Sequence, residues 1–171
     1  AGDVAGMDKY ARRLEESCRK VIAMLPRSAE PHHRLGKMYR AQMRFDEAMA
    51  QQNAALGKEP GYAPARYESG LLRVRLYEDR LGRLRERWRR WQGELAAGEP
   101  GVAEAKEPPA RVLEDREARG LRTGAMEDLE GADSKVARAL VEWLRGNSKE
   151  SRSLFEEAAA ETPDLEEPCE W

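Results

Sequence analysis

The sequence predicts an all-α protein made of antiparallel helix pairs packed side by side. Three observations carry that expectation. Ala, Leu, Arg and Glu dominate and aromatic residues make up only 6% of the chain, a composition of strong helix formers with few β-branched residues. Apolar residues return every three or four positions through most of the chain, the period of a helix with one buried stripe. Pro26, Pro60 and Pro163 each close such a stretch, and the first two stand 34 residues apart. At 171 residues the chain is one domain or one repeat array, long enough to bury a core.

Residues 1–7 (AGDVAGM) are small and are expected to fray as a flexible N-terminus. The array proper spans 8–97. From Asp8 to Leu25 an amphipathic helix is predicted, with Tyr10, Leu14, Cys18, Val21, Ile22 and Leu25 on one stripe and Pro26 after its end. In the 34-residue register it is the second helix of a truncated earlier unit. Residues 29–60 form the next unit. Its first helix aligns Leu35, Gly36 and Tyr39, and its second aligns Phe45, Ala48, Ala55 and Leu56. Small residues fall where two helices must approach closely.

The spacing Leu35-Gly36-x2-Tyr39, then Ala48, then Pro60 resembles the tetratricopeptide repeat (TPR), a helix–turn–helix unit of about 34 residues. That family places Trp at the position of His32 and an aromatic at Gln52. The resemblance implies a right-handed α-α superhelix of TPR-like pairs, with first helices lining a concave surface that holds a peptide or partner protein.

A divergent repeat follows over 63–97. Gly70 falls 34 residues after Gly36, in the first helix YESGLLRVRLY. Leu81, Leu84, Trp88, Trp91 and Leu95 then give a sustained apolar stripe, flanked by Arg83, Arg85, Arg87, Arg89 and Arg90. A second helix longer than usual is expected there. Residues 98–131 are a broken slot. Gly98, Pro100, Gly101, Pro108 and Pro109 predict a loop to about Pro109, then a helix over 110–119 and a helical turn near 126–129. The pattern returns over 132–163 with Ala139, Gly146, Phe155, Ala158 and Pro163, and 164–171 is an acidic tail.

Catalytic signatures do not emerge. The chain has no phosphate-binding glycine loop. His32 and His33 are adjacent, so they point about 100° apart on a helix and do not form an i, i+4 ligand pair. His32 stands at an aromatic place and is expected to pack inward, leaving His33 to face outward. Cys18 and Cys169 are too far apart in sequence for a metal-ligand spacing. No enzyme activity, cofactor or metal is therefore expected. No apolar run approaches the roughly 18 residues that span a bilayer. A cytoplasmic location is expected, with a periplasmic or secreted one left open because the chain starts at Ala1 without a methionine.

Charge is unevenly distributed. Residues 1–97 carry a net +7 and residues 98–171 a net −9, which suits a partner of matching polarity or self-association through the acidic tail. Under the TPR resemblance, the outward residues of the first helices are the candidate partner contacts: His33, Arg34, Lys37 and Arg40 in one unit, and Tyr67, Leu71, Val74 and Arg75 in the next. Val136, Leu140, Trp143 and Leu144 are their equivalents in the last. The asparagines with which some family members clamp a C-terminal carboxylate are missing from these places. The leading expectation is a non-catalytic scaffold that binds a peptide or protein. Alternatives are RNA binding through the arginine-rich 73–90 stretch and a partner-recruiting segment of a larger enzyme.

Overall fold

Every described element of the computed structural model is helical. The described residues are 4–97, 115–130, 132 and 134–161, and among them there is no strand. Among the described residues seven helices follow in order: α1 (Val4–Met24), α2 (Glu30–Ala41), α3 (Phe45–Lys58), α4 (Ala63–Ala96), α5 (Arg116–Glu130), α6 (Lys135–Arg145) and α7 (Ser148–Glu161). The expected N-terminal end, the loop to Pro109, Cys169 and the tail 164–171 lie wholly or partly outside the described residues.

α2 and α3 form the first hairpin. Their turn is closed by Met43 in the left-handed region, φ 59°, and by Arg44 N–H donating to the Tyr39 carbonyl at 2.9 Å. Gly36 allows the close approach that the sequence implied. A Cβ there would lie 2.5 Å from Gln52 Nε2 and 3.2 Å from the Ala48 carbonyl oxygen. α1 packs on this hairpin through half-buried Cys18 and Ile22, which meet the buried cluster of Leu35, Tyr39, Ala48 and Leu72. The Tyr39 hydroxyl donates to Glu15 of α1 at 2.9 Å.

The second pair differs from expectation. Residues 63–97 do not fold as two helices; α4 runs unbroken for 34 residues. The positions matching the α2–α3 turn are Leu76, Tyr77 and Glu78, and none is a residue that stops a helix. The antiparallel partner of α4 is instead α5, which replaces the expected helix over 110–119 and the turn at 126–129 (residues 110–114 lie outside the described set). Gly70 of α4 abuts Leu129 of α5, with a Cβ position 2.6 Å from Leu129 Cγ. Arg73 lies 3.0 Å from Asp128. Arg80 forks onto Asp115, Nε to Oδ1 at 3.1 Å and Nη2 to Oδ2 at 2.6 Å.

Asp115 also accepts from Ala118 N–H at 2.8 Å, so it caps the first turn of α5. The Arg80 guanidinium, with that backbone bond, holds the Asp115 carboxyl down at about 2. α6 starts at Ser134, whose hydroxyl accepts from Ala137 N–H, and ends at Gly146 in the left-handed region, φ 90°. It forms the last hairpin with α7, tied by Lys135 to Glu161 at 2.6 Å. Arg122 of α5 donates to the Leu144 carbonyl at 2.7 Å, satisfying an end of α6. The largest buried cluster joins Val74 of α4, Ala125 and Leu129 of α5, and Ala137, Leu140, Val141 and Leu144 of α6.

Candidate functional site

The first helices of the three hairpins lie side by side and run in the same direction. His33 meets Tyr62 edge-on at 5.6 Å. Arg40 Nε of α2 stands 2.9 Å from Glu68 Oε2 of α4, and Arg75 of α4 lies 6.0 Å from the Phe45 ring. Between α4 and α6 the Tyr67 hydroxyl stands near Ser134, and Tyr77 meets Trp143 edge-on at 6.3 Å. Contacts advance together along both chains at each joint. The outward sides of α2, α4 and α6 are therefore taken together as the candidate face.

The predicted contact residues divide on that face. Lys37 is exposed. Arg34 is exposed and pairs with Glu30 one turn earlier. Arg40 is held over Glu68, whose side chain is only 7% exposed. No aligned hydrogen bond reaches Glu68 Oε2, so the contact is one of charge proximity. Arg75 is half-exposed and 3.3 Å from Asp79. Beside it Glu78 is half-buried, and burial pushes its carboxyl up.

Several positions expected to face outward are covered. Val74 is 3% exposed within the largest core cluster, with Leu71 and Tyr67 packed against it. The neighbouring helix α6 covers positions that an isolated pair would leave open. Burial also raises the Tyr67 phenol. Leu140 and Leu144 are likewise buried, whereas Trp143 is exposed.

The histidines exchange places. His33 is the buried one, with Nδ1 3.1 Å from Gln52 Oε1, and Gln52 Nε2 donates to the His33 carbonyl at 3.3 Å. His32 is half-buried, 2.9 Å from Gln51 Oε1. The cause is Gln52, fully buried where the repeat pattern has an aromatic. A buried amide requires a polar partner across the hairpin, and His33 supplies it. The polar residue at an apolar place was the available signal.

Elsewhere, a shallow depression of about 270 Å³ lies on α7, lined by exposed Ser148, Lys149, Arg152, Ser153 and Glu156. Among the described residues no group of three or more His, Cys, Asp or Glu could hold a metal ion, and no helix is long and apolar enough to cross a membrane. In comparisons with known proteins, no family model and no curated protein matches the sequence.

Proposed function

We propose that this chain is a non-catalytic interaction module of the TPR class, using the face of α2, α4 and α6 to hold a peptide or a segment of a partner protein. The supporting observation is the parallel, side-by-side arrangement of the three first helices, fixed by Arg40–Glu68 and Tyr77–Trp143. That arrangement gives an extended ligand a run of contacts across three helices. Lys37 and the free edge of Arg40 favour acidic groups at one end, and exposed Trp143 favours an apolar side chain at the other.

Selection from a displayed random-peptide library tests this, followed by titration of enriched peptides into the parent and a K37E/W143A variant. Trp143 also meets Tyr77 at the α4–α6 joint, so unchanged ellipticity and melting temperature are required of the variant, and K37E alone, at an exposed residue, repeats the test with that joint intact. Enriched peptides should carry an acidic and an apolar residue and lose about tenfold or more in affinity for the variant. No enrichment, or equal affinity for both proteins, would refute the proposal.

A further inference from the structure

The C-terminal half of α4 is not explained by the hairpin it belongs to. Its last ion pairs to α5 are made by Arg80, yet the helix continues to Ala96, about four turns further. Over 82–93 it carries five arginines, one carboxylate and no lysine.

Helical spacing sorts these residues. Leu81, Leu84, Trp88 and Trp91 share the inward stripe, with both leucines buried and both indoles half-buried. Arg83, Arg87 and Arg90 take one flank and Arg85 and Arg89 the other. Between the flanks the outer ridge carries Gly82, Glu86 and Gly93. Nothing lies within 4 Å of a Cβ at either glycine. Glu86 engages Arg89 and Arg90 at 3.5 Å each. Among the described residues, no side-chain hydrogen bond or ion pair involves Arg83, Arg85 or Arg87.

We infer that this ridge of α4 binds the phosphate backbone of duplex DNA without reading its sequence. The guanidinium is suited to forked contacts with phosphate oxygens. An α-helix fits the B-form major groove, about 12 Å wide, and so places its two flanks against opposite strands. Glycines at the ridge let the helix backbone approach the groove floor. The deep, narrow A-form groove of RNA excludes the same docking, and half-buried Trp88 and Trp91 offer no open stacking platform for single strands. This site is separate from the peptide face, and either can fail alone.

The experiment is fluorescence anisotropy with duplexes of about 20 base pairs, read between about 50 and 200 mM salt, on the parent and an R83Q/R85Q/R87Q variant. The substituted side chains are exposed and form no side-chain hydrogen bond or ion pair among the described residues, and unchanged ellipticity checks that the fold is kept. The parent should bind DNA with log affinity falling linearly in log salt. Three lost phosphate contacts, at about 0.9 each, should flatten that slope by about 2.7. The inference is overturned by any of four results: no DNA binding at the lowest salt, an unchanged slope in the variant, equal binding of an RNA duplex, or equal displacement by polyglutamate of matched charge.

Discussion

Gly70→Ala is the most informative single change, because it probes the joint between α4 and α5. The new Cβ would stand 2.6 Å from Leu129 Cγ and 2.7 Å from its Cδ2, against about 3.5–4.0 Å for a favourable carbon contact. Leu129 is wholly buried, so it has no solvent to swing into, and overpacking of this kind costs about 1–3 kcal/mol. Alanine for glycine in a helix opposes that by about 1 kcal/mol. The net effect is thus a loss of about 0–2 kcal/mol.

Gly82→Ala supplies the reference. It sits in the same helix with nothing within 4 Å of the new Cβ, so it should gain about 1 kcal/mol. The difference between the two variants is then the overpacking alone, about 1–3 kcal/mol. At this chain length that separates their melting temperatures by roughly 2–12 °C. Urea and thermal melts followed by far-UV ellipticity read it directly. Equal stabilisation by both substitutions would show that Leu129 does not lie against Gly70.

Three further outcomes are expected. Asp115→Asn should weaken the protein at neutral pH. The Asp115 carboxyl is depressed to about 2 in the fold and is near 3.9 when unfolded. Its contribution is therefore full above about pH 4 and fades as pH falls toward 2, so urea midpoints of variant and parent should converge over that window; a pH-independent gap contradicts the ion pair with Arg80. Gln52→Ala leaves the buried His33 ring without its partner, at about 1–3 kcal/mol, while the His33 carbonyl keeps its bond within α2; a variant as stable as the parent in urea would remove that network. Met43→Gly relieves a left-handed residue whose side chain is exposed, and should stabilise by about 0.5–1 kcal/mol; destabilisation in the same assay contradicts the turn geometry.

Local signals explain which parts of the fold were readable. The α2–α3 hairpin was evident because Leu35, Gly36, Tyr39, Ala48 and Pro60 mark both helices and their close approach. α4 was misdivided because the 34-residue register demands a turn near Tyr77, while the residues there contain no breaker. Here local propensity prevailed over the repeat interval. α5 was misplaced because its start is set by Asp115 bonding to Ala118 and to the distant Arg80, and Gly120 and Gly124 dilute its helical pattern. At Gly124 an added Cβ would meet the Arg73 guanidinium, which would have to shift.

Exposure was legible at Lys37, Arg40 and Arg75, whose charge keeps them toward water. It was not legible at Val74 or His33. Whether a first-helix residue is open depends on the next hairpin, as α6 shows for Val74. His33 is inward because of a residue 19 positions away, Gln52.

The account rests on three hairpins whose second member is α5, not the far half of α4. Side-chain proton–proton contacts measured by nuclear magnetic resonance test this most directly. Leu129 methyl groups should show close contacts to Gly70, with unbroken helical connectivity from 63 to 96. Leu129 methyls without such contacts, or a break in helical connectivity near Tyr77 with residues 81–96 folded back against 66–76, would contradict it.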